Sequence, residues 1–123
     1  MKKSSWGPCI WKTLHTLTFK NKNEHFQEKK KDLVQLIYKI CSNLPCPLCS
    51  SHAMLLLKKY KIINVKNKNE LIKIIFLLHN DVNKKLKKKS FSYDDLDKTY
   101  KNENLKDILN EYYNLNLSLN KNY

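Results

Sequence analysis

The chain has almost no glycine. Gly7 is the only one in 123 residues, beside three prolines. Strand-rich folds need turn residues at every reversal, so this shortage points to helices. Arginine is absent altogether. All 24 basic side chains are lysine, against 11 acidic ones, and the net charge is +13. Base-edge recognition of nucleic acid leans on the bidentate guanidinium, which an ammonium replaces poorly. The charge therefore reads as a solvated surface with non-specific attraction to polyanions, and no specific nucleic-acid partner is expected. Long apolar runs are missing as well. The longest, Ile74-Ile75-Phe76-Leu77-Leu78, is far too short to span a bilayer. No apolar segment follows the first lysines as it would in a secretory signal. One soluble domain made in the cytosol is the expectation.

Cysteine is scarce too, and its placement carries the chemistry. Two of the four cysteines fall in Leu44-Pro45-Cys46-Pro47-Leu48-Cys49-Ser50-Ser51-His52. A C-x-x-C pair is either a disulfide that opens and closes or half of a metal site. Pro45 biases the residue before it toward extended backbone, and Pro47 fits the first turn of a helix. The run 48–60 reads as that helix. Cys46 then sits at or just outside a helix N-terminus, where free N–H groups and the macrodipole favour a thiolate. Cys49 lies one turn in, so the two sulfurs can meet.

Apolar spacing outlines the rest. Gly7-Pro8 opens a first helix in which Ile10, Trp11, Leu14 and Thr18 recur at helical intervals, with His15 beside Leu14. Phe26, Leu33, Leu36, Ile37, Ile40 and Leu44 form the stripe of a second helix over 26–43, with Cys41 near its end. In the third, Ala53, Leu56 and Tyr60 share a face. Asn67 and Glu70 make a capping box for a fourth helix to about residue 88, with Leu71, Ile75, Leu78, Val82 and Leu86 inward. Ser92 with Asp95 starts a short fifth helix to about Tyr100. Residues 104–113 have helical character, and the last ten read as disordered. The fold class is all-α: a four-helix bundle plus a short fifth helix. Residues 1–100 are taken as the domain and 101–123 as an Asn/Lys-rich extension. Cys46-Pro47-Leu48-Cys49 has the form used by glutaredoxins, but that fold needs a strand before the motif and here a helix precedes it.

A second constellation lies in the fourth helix. At about 100° per residue, His79, Val82, Asn83 and Leu86 share one face, with Asn80 at its edge. An imidazole and an amide on a core-facing surface cost free energy unless partnered, and His15 repeats the pattern in the first helix. A buried polar ligand accounts for all three, with the lysines beyond Leu86 placed to meet phosphates on it.

Taken together, Trp6-Gly7, Trp11 and Leu14-His15, the Cys46/Cys49 pair, and His79-Asn80-x-Val82-Asn83-x-x-Leu86-x-Lys88 resemble the Erv/ALR family of FAD-linked sulfhydryl oxidases. Phe91 and Tyr100 fall where the family has aromatic residues. The wording around Cys46 and Cys49 is most similar to the short viral members from poxviruses and African swine fever virus. The resemblance spans about residues 6–100. It implies FAD cradled at the mouth of the bundle, contacted by Trp11, His15, His79, Asn80, Asn83, Leu86 and Lys88. By the same resemblance, Gly7 and Val82 allow close approach, Tyr100 packs at the adenine end, and Cys46 and Cys49 face the flavin.

The implied activity is oxidation of protein dithiols, with electrons passing through FAD to O2 to give H2O2. The implied substrates are a thioredoxin-like viral redox protein or virion proteins, met in the host cytoplasm or the virion. A homodimer on the first two helices is expected, from the family and from the apolar surface of Trp6 and Phe26. Two features depart from the cellular members: no cysteine follows Cys49, so their C-terminal structural disulfide is absent, and there is no second C-x-x-C. Unbridged Cys9 and Cys41 are expected, with a Cys9–Cys41 bond, or electron relay from Cys41 to Cys46, as the competing readings. The competing reading is a zinc module in which Cys46, Cys49 and His52 join Cys41 or His79.

Overall fold

Helix α1, Lys3–Phe19, is buried around most of its circumference. Trp6, Ile10, Leu14 and Leu17 pack into the core, and Thr13, His15, Thr16 and Thr18 are wholly inaccessible. The computed structural model describes residues 3–20, 23–90, 92–100 and 102–120. After α1 come α2 (Phe26–Ser42), α3 (Pro47–Lys59), α4 (Lys68–Lys85), α5 (Tyr93–Tyr100) and α6 (Leu105–Asn120), with no strand among the described residues. Phe91 lies outside the described residues. The all-α expectation holds, and α1–α4 make the expected bundle.

Helix α1 starts four residues before Gly7-Pro8 and carries Pro8 inside it. Pro8 is the sixth residue of the helix, just past the first turn whose N–H groups have no intrahelical partner. Pro8 therefore removes a single early bond, and burial of Trp6 holds the first turn in place. Two buried hydroxyls of α1 are satisfied within the helix: the Thr13 hydroxyl donates to the Cys9 carbonyl at 2.8 Å and that of Thr18 to the His15 carbonyl at 2.8 Å.

On α2 the buried set is Phe26, Val34, Ile37, Ile40 and Cys41. Leu36, expected in the stripe, is 38% exposed, because the helix turns Val34 inward instead. Helix α4 begins as expected, with the Asn67 side chain accepting from the Glu70 N–H at 2.9 Å. The returning arm falls one residue early: the Glu70 carboxylate accepts from the N–H of Lys66 at 2.8 Å. The helix ends sooner than the sequence indicates. Leu86 is its C-cap, 38% exposed, and Lys87 takes a left-handed conformation at φ 59°. A left-handed residue is a common way to end a helix, at a cost of about 1–2 kcal/mol when it is not glycine. The Tyr60 hydroxyl donates to the Asp81 carboxylate and ties the end of α3 to α4.

The sixth helix corrects the expected disorder over 114–120, while 121–123 lie outside the described residues. The Asn104 side chain accepts from the Asp107 N–H at 3.2 Å, and Leu105, Ile108, Tyr112 and Leu115 lie against the core. This packing on α1 explains why α1 is buried so fully. It also removes one ground for the homodimer, since Trp6 and Phe26 are 6% and 2% exposed within a single chain.

Candidate active site

The N-terminus of α3 delivers the two cysteines. Pro47 occupies the first helical turn, and Cys46, with extended backbone, is the N-cap. Its sulfur takes the place that a serine oxygen usually fills, accepting from the Cys49 N–H at 3.2 Å. That contact and the helix dipole both favour negative charge on Cys46 Sγ. The approach to the helix is fixed by Ser50, whose hydroxyl accepts from the Leu44 N–H at 3.0 Å. Both sulfurs are half-buried, and both residues line one cleft of about 630 Å³, a volume in the range of small-molecule and cofactor sites.

The opposite wall comes from α1, α4 and α5. Trp11 stacks on His79 with ring centroids 4.0 Å apart and planes 11° from parallel. Behind His79, His15 Nε2 meets His79 Nδ1 in a hydrogen bond of 2.9 Å. Tyr100 stacks on His15 at 4.6 Å. Burial, with His79 beside it, drops the pKa of His15 to about 3, and burial, with Lys88 nearby, drops that of His79 to about 4. Both imidazoles are therefore neutral near pH 7, one donating and the other accepting. The surface that Trp11 and His79 present is aromatic and uncharged.

Of the residues singled out by sequence, Gly7, Trp11, His79, Val82, Asn83, Leu86, Lys88 and Tyr100 line the cleft. The face shared by His79, Val82, Asn83 and Leu86 thus emerges as expected. His15 stands one layer back, with no exposure, and supports His79. Asn80 is half-buried on α4 without lining the cleft.

Sequence reasoning missed Lys12 and Lys85, which join Lys88 and Lys89 as cationic lining. The signal for Lys85 was its spacing, four residues before Lys89 and three after Val82. The left-handed turn at Lys87, with the Lys88 N–H donating to the Asn83 carbonyl at 2.7 Å, returns Lys88 and Lys89 to the cleft.

The residues present fit a large, flat, anionic cofactor such as FAD. A Cβ built on Gly7 would meet nothing within 4 Å, so a ligand can approach the α1 backbone there. His52 lines the cleft one turn beyond Cys49, and its Nε2 is sealed from solvent without a protein partner. A hydrogen-bonding ligand would satisfy that atom. The lysines supply positive charge for phosphates.

Cys41 also lines the cleft, yet it is 1% exposed and burial pushes its pKa up to about 12. Cys9 is half-buried, and burial, with Glu111 nearby, raises its pKa. All four cysteines are free thiols in this structure. The zinc reading finds no ligand set, since among the described residues no three His, Cys, Asp or Glu side chains converge to hold a metal ion. His79 is engaged with Trp11 and His15, and the Cys41 thiol stays protonated.

Residues 8–101 match the model of the Erv1 / Alr family. The chain is 33% identical over 105 residues to a FAD-linked sulfhydryl oxidase of African swine fever virus, isolate Tick/Malawi, covering 85% of this chain and 84% of that protein. It is 31% identical over 103 residues to the FAD-linked sulfhydryl oxidase of the Pig/Kenya isolate, covering 84% of this chain and 86% of the relative.

Proposed function

From the premise that the chain belongs to the Erv1 / Alr family, we propose how its cleft works as an FAD-dependent thiol oxidase. The observation that carries the reading is that Cys46 and Cys49 open onto the same cleft as the stacked Trp11–His79 wall. When bound, FAD supplies a two-electron route from a dithiol to O2, with H2O2 as the product.

The protein's own part begins at Cys46. A substrate thiolate attacks Cys46 Sγ of the Cys46–Cys49 disulfide, the sulfur–sulfur bond breaks, and Cys49 leaves as a thiolate. A second substrate thiolate then attacks the substrate sulfur of the mixed disulfide. It closes the substrate disulfide and releases Cys46. Two electrons have moved from substrate to the cysteine pair, and two protons have gone to solvent. Cys49, one turn inside α3, is the thiol nearer the cofactor. Trp11 and His79 orient a flat ring system, with His15 and Tyr100 holding His79 in place. Gly7 and Val82 permit close approach, Asn83 and Leu86 position the ligand, and Lys12, Lys85, Lys88 and Lys89 meet its phosphates.

This machinery is assigned to residues 1–100, with 101–123 as an extension whose helix α6 packs on α1. The substrate is a protein dithiol and the acceptor is O2. A thioredoxin-like viral redox protein or virion proteins, encountered in the host cytoplasm or the virion, are the proposed substrates. No helix among the described residues is long and apolar enough to cross a membrane. The homodimer is retained as a proposal, and light scattering at micromolar concentration decides it: a monomer mass refutes it. The function itself is tested by loading the protein with FAD, removing free flavin by gel filtration and following oxygen uptake with dithiothreitol. Retained flavin and dithiol-dependent oxygen consumption are expected. A protein that retains no flavin contradicts the reading.

A further inference from the structure

Helix α3 shows an apolar strip to solvent that begins at the rim of the cofactor cleft, which Leu48 also lines. Leu48, between the two cysteines, is 81% exposed, and Leu55, two turns on, is 68% exposed. A single exposed leucine is ordinary. Two of them seven residues apart on one helix, starting at a redox pair, form a strip about 10 Å long. Beside it a groove between α2 and α3 is bounded by Tyr38 and Ser42 on one side and Met54, Leu55 and Lys58 on the other, with no acidic residue in its lining.

We propose that this groove and strip dock the segment of a protein substrate that flanks its reactive cysteine, an extended segment with an apolar side chain and acidic neighbours. The proposal rests on the oxidase reading, because exchange at Cys46 requires a substrate chain to arrive where the strip begins. A small dithiol needs only Cys46 and has no side chain to lay along α3. A polypeptide does, and at about 3.3 Å per extended residue it reaches Leu55 about three or four residues from its cysteine. The charge follows from the surface: Lys58 closes the groove on a chain of net charge +13, so acidic segments are drawn in and basic ones repelled.

The test uses FAD-loaded full-length protein and three reductants: dithiothreitol, a dithiol peptide with leucine four residues from cysteine and aspartate flanks, and the same peptide with glycine and lysine instead. The wild type should favour the leucine–aspartate peptide by kcat/KM. Leu55→Asp should lose about tenfold on that peptide and nothing on dithiothreitol. Lys58→Glu should shift preference toward the lysine-flanked peptide. Equal kcat/KM for the two peptides in the wild type, or equal losses on peptide and dithiothreitol in Leu55→Asp, would overturn the docking proposal. Failure of the wild type to oxidise dithiothreitol would instead overturn the oxidase reading beneath it.

Discussion

The chain carries two kinds of cysteine within one small bundle. Cys46 and Cys49 sit at the start of α3, half-buried, with a backbone N–H directed at the Cys46 sulfur. Cys9 and Cys41 lie on the flanks of α1 and α2, where burial raises both pKa values, that of Cys41 to about 12. Cys41 shares the cleft with the reactive pair, so proximity to the cofactor site does not make a thiol reactive. A helix terminus and solvent access do. In the cleft Cys41 behaves as a small apolar side chain.

The comparison breaks first, and most severely, on the reactive pair. Cys46→Ser and Cys49→Ser should each cut oxygen uptake with dithiothreitol by about a thousandfold or more while FAD stays bound. The two losses should look different in the spectrum. Cys46→Ser leaves Cys49 as a lone thiolate against the flavin and should show a long-wavelength absorbance band, whereas Cys49→Ser should not. The reverse pattern would exchange the roles assigned to the two sulfurs.

A smaller effect sharpens the role of burial. His15, like Cys41, is held uncharged by its surroundings, at a pKa of about 3 against an ordinary 6.5. Because the folded value lies below the unfolded one, the unfolded chain takes up the proton first. Stability from this group is complete above about pH 6.5 and is lost as pH falls toward 3, at about 1.4 kcal/mol per pH unit. Chemical denaturation at pH 7, 6 and 5 measures it, and His15→Phe should flatten the slope.

Smallest of all are the effects at the inert thiols. Cys41→Ser buries a hydroxyl in an apolar setting and should cost about 1–3 kcal/mol in calorimetry, with turnover within about twofold of the wild type. Cys9→Ala should stay within about 1 kcal/mol. A collapse of turnover in Cys41→Ser with FAD still bound would assign Cys41 to electron relay.

Much of this was legible in the chain because local rules and tertiary structure agree there. Pro47 and the cysteine spacing set the start of α3, and the period of His79, Val82, Asn83 and Leu86 set the cleft face. What was hidden depends on partners distant in sequence. Thr13 and Thr16 look like a solvated side of α1 until α6 is laid over the bundle, and α6 was masked by asparagines around Leu105, Ile108, Tyr112 and Leu115. Single-residue geometry was hidden too. Nothing in a lysine-rich run marks Lys87 as the residue that turns left-handed, and that turn decides which lysines reach the cleft. The exposure of Leu36 reflects a rotation of α2 that leucine spacing alone does not fix.

Anaerobic reduction of the FAD-loaded protein by dithiothreitol, followed as loss of flavin absorbance in a stopped-flow instrument, tests the central claim most directly. The wild type and the Cys9→Ser/Cys41→Ser double variant should bleach at the same rate, and Cys46→Ser/Cys49→Ser should stay yellow on that timescale. Rapid bleaching without Cys46 and Cys49, or its loss without Cys9 and Cys41, would contradict the assignment of electron transfer to the pair at the start of α3.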